Sequence, residues 1–343
     1  MLGDSLYNKV QTFPINGNTK GIGLDKLVFD LPATLPLQNT LQLSNEMVNM
    51  EVSTREVKSG YGMLKNSQSV IVKKFDNNYR FITNPINEIY GNNFYTLSRE
   101  QLYNYLKELT QVIGVDVFKA NLRQGDLQST IKMKFKPKSY YDVLGLHKDL
   151  IKHLKYGGSS LYYDSKSKKQ KYKTLLFYDK ILEMRGKKVA KDFDNFLRYE
   201  ARYYNKFLKT IASKFGKSNL LVEDLFNDTV YGELIDWWYK DYQSIFKEKK
   251  SMFDLDRITK PSDIDKLLAS KAIQDFGGVE PIVKMIEASN TFDNKKAPFI
   301  SKVKGRVKSL ASDRNIVLET PFLEELDNKI KEAYNYSIGC LSS

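Results

Sequence analysis

Three separated segments of this 343-residue chain read as β-strands that each place polar side chains on one face, and that pattern narrows the fold most. Along residues 115–136, Leu127, Ile131, Met133 and Phe135 point one way, while Asp126, Gln128, Thr130, Lys132 and Lys134 point the other. The stretch Tyr172–Lys180 reads as a short apolar strand (Leu175, Leu176, Phe177) that delivers Tyr178 and Lys180 to one face. The third segment is Leu197–Tyr204. As a strand it puts Arg198, Glu200 and Arg202 on one face and Leu197, Tyr199, Ala201 and Tyr203 on the other. As a helix it would pair Arg198 with Arg202 and leave Glu200 elsewhere; the aromatic content favours the strand. A polar sheet face is commonly just solvated, and on the local pattern alone Tyr178 reads first as the end of a core strand.

Charge separates these readings. The formal net charge is +13, and residues 130–191 hold 17 Lys and Arg against 5 Asp and Glu. Nearly the whole surplus lies in the window that contains Tyr178. A concentrated basic surface points to a polyanion, with nucleic acid ahead of an anionic membrane because no basic amphipathic helix stands out. No apolar run approaches the roughly 18 residues of a membrane span, and Met1–Leu6 does not resemble a secretory leader. The single cysteine, Cys340, excludes an intrachain disulfide framework and fits a reducing compartment. A cytoplasmic location is therefore expected.

In chain order, residues 1–20 read as a loose arm and Gly21–Leu31 as a strand stopped at Pro32. Residues 69–83 read as a hairpin turning at Asp76–Asn78. Ser98 and Gln101 form a capping-box pattern opening a helix to about Val112, with Leu102, Leu106, Leu109 and Ile113 at helical spacing. Leu144–Leu154 is expected to be a helix ended by Gly157 and Gly158. Its two histidines, His147 and His153, are six apart and do not stack on one helical face, so packing or surface roles are expected. Ser160–Tyr163 and the Tyr178 strand make a second hairpin, followed by a short helix from about Asp179 towards Met184. After Asn205 the pattern turns helical, at 222–226, 231–246, 263–270, 276–290 and 298–312. Trp237 and Trp238 read as core anchors. No zinc pattern, phosphate-cradling glycine loop or serine–histidine pairing is present.

Four stretches in order resemble the gene II/X replication protein family of filamentous phages and related plasmids. They are Phe81–Gly91, the strand entered from Asn121–Arg123 with Asp126, Leu175–Lys180, and Leu197–Arg202 with its arginine–aromatic–glutamate–alanine–arginine run; Phe276–Ser309 adds a likeness to that family's C-terminal helical region. The resemblance implies an α+β fold: an antiparallel nicking domain of the HUH/Rep-like kind, flanked by helices, over residues 1–215, and a helical C-terminal domain over 216–343. It implies a rolling-circle initiator that nicks one strand at an origin through tyrosine, keeps a covalent 5′ phosphotyrosine, and later rejoins the displaced strand.

By that likeness Tyr178 is the nucleophile and Lys180 its companion, stabilising developing charge and lowering the phenol pKa. Asp126 and Glu200, with Gln128 as a neutral oxygen, are expected to hold Mg²⁺ or Mn²⁺. Glu200 between two arginines reads equally as a structural ion pair. Lys132, Lys134, Lys168, Lys169, Lys173, Arg198 and Arg202 are the expected DNA contacts. The partners would be origin and single-stranded DNA, with host helicase and polymerase. The sequence departs from the wider superclass in lacking a His-hydrophobic-His motif; Asp126 and Gln128 stand in that strand position. A non-catalytic origin or single-stranded DNA-binding protein, or an RNA-binding protein, would carry the same basic and aromatic character.

Overall fold

A computed structural model describes residues 21–32, 61–63, 69–75, 77–167, 171–184, 194–247, 251–253, 260–276, 279–288, 296–311, 317–319 and 321–341. The expected N-terminal arm, and Lys168 and Lys169, lie outside the described residues. The chain divides into two compact units, one of residues 1–247 with 324–343 and one of residues 248–323.

The first unit is built on a nine-stranded sheet in which every pairing is antiparallel. Its strands are β1 (Gly23–Pro32), β2 (Tyr61–Met63), β3 (Ile71–Lys74), β4 (Asn78–Thr83), β5 (Asn121–Lys132), β6 (Leu144–His147, in a separate two-stranded pair), β7 (Leu150–Lys155), β8 (Ser160–Ser165), β9 (Lys173–Asp179) and β10 (Phe196–Tyr204). The order β2-β3-β4-β1-β5-β10-β9-β8-β7 puts β5 and β10 at the centre, beside β9. The three polar-faced segments of the sequence are therefore neighbours, and both expected hairpins form.

One face of these central strands is apolar. Leu175, Phe177, Tyr199, Ala201 and Tyr203 are all buried. They meet α5 (Asn205–Lys214) and α6 (Asp228–Gln243). Phe177 stacks on Tyr199 with centroids 4.5 Å apart, Tyr199 lies at the same distance from Trp238, and Tyr203 stacks on Phe207 at 4.4 Å. The Tyr199 hydroxyl donates to the Trp238 carbonyl at 3.0 Å, which satisfies a phenol in the core. Trp238 is the expected anchor; Trp237 is half-buried. The capping box opens α2 (Arg99–Ile113), whose Leu102, Leu106, Leu109 and Ile113 are buried as their spacing predicts.

Leu144–Leu154 is not a helix. It is the pair β6 and β7, and β6 pairs with a short strand, β11 (Ile245–Lys247), while β7 edges the large sheet. Two things hold the segment extended: the distant partner strand β11, and a turn at His147, whose Nδ1 accepts from the backbone N–H of Asp149 at 2.9 Å and of Leu150 at 3.2 Å. That side chain closes a turn where helix hydrogen bonds would otherwise run. His147 is buried and His153 pairs with Asp164, 3.1 Å away, so neither histidine joins a shared site.

The last helix, α10 (Pro321–Gly339), belongs with the sheet from Glu324 onward. Ser337 Oγ accepts from the Ile22 N–H at 2.7 Å, Glu325 Oε1 from the Lys134 N–H at 2.8 Å, and Asp236 from the Tyr334 hydroxyl at 2.7 Å. The units thus do not divide at the expected 215/216 boundary, because α6 and α10, both beyond residue 215, pack with the sheet. The second unit holds α7 (Pro261–Asp275), α8 (Val279–Ala288) and α9 (Lys296–Ala311), with a small pair of strands, β12 (Ser251–Phe253) and β13 (Val317–Glu319). The fold is α+β, with a helical region towards the C-terminus as expected. Among the described residues no helix is long and apolar enough to cross a membrane.

Candidate active site

The face of β5, β10 and β9 opposite the aromatic core carries the polar residues. Register fixes their rows. Arg198 stands between Thr130 and Tyr178, Glu200 between Gln128 and Leu176, and Arg202 between Asp126 and Thr174. On the other side of β5, Lys26 of β1 faces Asp126, and an irregularity between Leu24 and Lys26 leaves Asp25 at the break. Tyr178, Glu200, Asp126, Arg202, Asp25 and Lys26 together line a cleft of about 510 Å³.

Tyr178 is half-buried, and its hydroxyl donates to Glu200 Oε2 at 3.1 Å. Burial, and then the Glu200 carboxylate, push the phenol well above its ordinary pKa, while Arg198 pulls the other way. The tyrosine is thus held protonated against its acceptor in the free protein. Lys180 is the first residue of a short helix, α4 (Lys180–Glu183), rather than a strand residue. It reaches the same side as Tyr178, with Nζ 5.8 Å from the ring centroid, fully buried and held by Asn93 Oδ1 at 2.7 Å and Glu183 Oε2 at 2.5 Å. Burial, then repulsion from Arg198, lowers Lys180 to about 8. The net effect on the phenol is a rise where a lowering was expected, and the cation pulling against it is Arg198.

The carboxylates differ in state. Burial, then the charge of Glu200, raises Asp126 to about 7. Burial works on Glu200 in the same sense, but Arg202 and then Arg198 hold it below the ordinary carboxylate value. Asp25 is raised by burial, against the pull of Arg198. Asp25 was missed in the sequence; its one signal was an acid inside the apolar run of β1. It accepts from Asn84 Nδ2 at 3.0 Å.

The residues expected to hold Mg²⁺ or Mn²⁺ do not fit an oxygen-ligand cage. Gln128 turns its amide away: Nε2 donates to the Tyr95 carbonyl at 3.1 Å and Thr96 Oγ1 at 3.3 Å, and Oε1 accepts from Thr130 at 3.2 Å. Arg202 Nε lies 2.6 Å from Glu200 Oε1 and 3.5 Å from Asp126 Oδ2, filling the space between them. Among the described residues no group of three or more His, Cys, Asp or Glu is placed to hold a metal ion.

The expected DNA contacts also divide. Lys132 and Lys134 are exposed, and Arg202 lines the cleft. Arg198 is fully buried: Nε donates to Thr130 Oγ1 at 2.9 Å, Nη1 lies 3.4 Å from Asp25 Oδ2, and Nη2 donates to the carbonyls of Asn93 and Phe94. Lys173 is buried in an ion pair with Asp241, whose other oxygen accepts from Tyr203. Neither cation faces solvent, so both are internal anchors where a surface contact was expected. Alternation alone does not separate a solvated polar face from one covered by a loop such as residues 93–96.

No protein-family model matches the chain, and no curated protein matches it. Among solved structures, the chain is similar to a rolling circle replication initiator protein from Geobacillus stearothermophilus. The TM-score is 0.34 and the identity 13%, over 70% of this chain and 91% of that one.

Proposed function

We propose that this chain is a rolling-circle replication initiator that nicks one DNA strand with Tyr178. The observation that carries this reading is the Tyr178 hydroxyl, in an open cleft, donating to the buried carboxylate of Glu200. The four family-like stretches and the basic window around Tyr178 support it. A free phenol is almost wholly protonated at neutral pH, and a carboxylate at hydrogen-bond distance is placed to take its proton.

In the proposed step the Tyr178 oxygen attacks the phosphorus of the scissile phosphodiester. The O–P bond to tyrosine forms, the P–O3′ bond breaks, and the phenol proton passes to Glu200. The departing 3′ oxygen takes a proton from solvent and becomes a 3′ hydroxyl for a polymerase. The 5′ phosphate stays on tyrosine, so attack by a 3′ hydroxyl later reverses the step and rejoins the strand without a nucleotide cofactor. Lys180 supplies positive charge beside the phenolate. This activity would act in the cytoplasm, beside a host helicase and polymerase.

The test is mass spectrometry of the protein after reaction with a supercoiled origin plasmid or a single-stranded origin oligonucleotide. A nucleotide adduct on Tyr178 is expected. An adduct on a different tyrosine, or none with intact DNA binding, rejects the assignment. A second reading, a single-stranded DNA-binding protein without chemistry, is favoured by the aromatics at the cleft mouth. Tyr162 lies under Lys155 Nζ at 4.0 Å and stacks on His153 at 5.7 Å, and Tyr156 is 75% exposed. Base stacking needs no more than such a surface, and the adduct experiment separates the two.

A further inference from the structure

All four carboxylate oxygens of Asp126 and Glu200 face a protein donor. Asp126 Oδ1 accepts from Gln124 Nε2 at 2.7 Å, and Oδ2 lies 3.5 Å from Arg202 Nε. Glu200 Oε1 accepts from the same Nε at 2.6 Å, and Oε2 accepts from the Tyr178 hydroxyl at 3.1 Å. Both carboxylates are almost completely buried, whereas the Arg202 side chain is 34% exposed. Mg²⁺ or Mn²⁺ would need these oxygens at roughly 2.0–2.2 Å with several more around it. The guanidinium stands where such an ion would stand, and Gln128 supplies no further ligand.

We propose that Arg202 is the resident cation of this cleft: Asp126 and Glu200 position its guanidinium to receive a DNA phosphate, and the pair takes up no divalent ion while Arg202 is in place. A guanidinium suits that task. It stays charged at any relevant pH, and its planar fork matches two phosphate oxygens. Burying the two acids while the arginine remains part-exposed aims the positive end of the cluster at the cleft. Asp126 also meets Gln124, and Lys26 of β1 faces it across the β1–β5 pairing, so Asp126 is braced on both sides. When a phosphate draws Arg202 away from Glu200, that carboxylate keeps the Tyr178 hydroxyl as its donor and loses a counter-charge. Arrival of substrate and readiness to accept the phenol proton are thereby linked.

The phosphate half of the proposal rests on the DNA reading above; the divalent-ion half concerns the free protein. Two measurements on the full chain test it, and neither uses cleavage. The first is electron paramagnetic resonance of Mn²⁺ mixed with the wild-type and Asp126→Asn proteins, without DNA. No uptake that depends on Asp126 is expected. Stoichiometric Mn²⁺ binding by the wild type that a folded Asp126→Asn abolishes would overturn the proposal, and a wild type that takes up no Mn²⁺ supports it without the variant. The second is the salt dependence of single-stranded oligonucleotide binding by Arg202→Gln. One lost phosphate contact lowers the log–log slope by about 0.7, with about tenfold weaker binding. An unchanged slope and affinity would overturn it. Where Arg202→Gln fails to fold, Arg202→Lys replaces it: the charge and the slope stay while the fork is lost, so affinity falls several-fold, and unaltered affinity again overturns the proposal. A protein that loses DNA contact with Arg202 yet never forms an adduct would refute the nickase and leave this inference standing.

Discussion

The Tyr178 hydroxyl reaches Glu200 Oε2 diagonally across two strands, at 3.1 Å, although Tyr178 is opposite Arg198 in register and Glu200 is opposite Leu176. Diagonal neighbours on one sheet face lie about 7–8 Å apart at Cα, within reach of a long phenol and a glutamate. The first prediction concerns this bond. Tyr178→Phe should abolish nicking and the covalent adduct, leave oligonucleotide affinity within about twofold, and cost on the order of 1 kcal/mol of stability for the lost hydrogen bond. A nicking assay with denaturant unfolding of the same sample reads both; cleavage retained by the phenylalanine variant would assign the chemistry elsewhere.

Arg198 should behave as an interior residue. Arg198→Met leaves the Asp25 carboxylate and two loop carbonyls without their donor. Breaking one side of a buried pair costs about 3–5 kcal/mol. The expected outcome is a large loss of stability in chemical denaturation. A fully stable variant that had merely lost DNA affinity would contradict the buried placement.

Activity should fall on the alkaline side as Lys180 loses its proton at about 8. Lys180→Arg keeps its charge, so any activity it retains should persist to higher pH; an unmoved descending limb would exclude Lys180 as its source. The stability contribution has the opposite sense. The unfolded chain keeps that proton to roughly 10.4, so between about 8 and 10.4 the unfolded state binds more protons and this group's term rises with pH.

His147 should mark the acid side. Burial, then repulsion from Lys173, lowers its pKa to about 4. Between about 6.5 and 4 the unfolded chain takes up a proton that the native protein refuses. Its stabilising contribution is complete above about 6.5 and shrinks as pH falls through that window, by on the order of 3 kcal/mol. His147→Gln should flatten that part of the stability–pH curve, as followed by urea denaturation at stepped pH.

Much of the sheet was legible because its signal is local. The alternation around Leu127 and Ile131, the capping box at Ser98 and Gln101, and the hairpin at 69–83 each depend on residues within a few positions of one another. Leu144–Leu154 was misread because its leucines also fit helical spacing; β6 finds its partner in β11, about a hundred residues later. The candidate site divides the same way. Tyr178, Glu200 and Asp126 stood out by pattern, while Asp25 was marked only as an acid in an apolar strand and Asn93 enters from a loop with no marker.

The amino-acid order alone determined which residues share a strand face and where positive charge concentrates, since a period of two and a count of charges need no distant partner. Only the tertiary structure decided which of those polar residues meet solvent. Arg198, Lys173 and Arg202 read alike as basic strand residues, yet the first is enclosed by the loop at Asn93, the second is paired with Asp241 in the core, and the third is wedged between two acids at the cleft. The physical reason is that burial and ion pairing depend on what packs over a face, which is set by segments far apart in the chain.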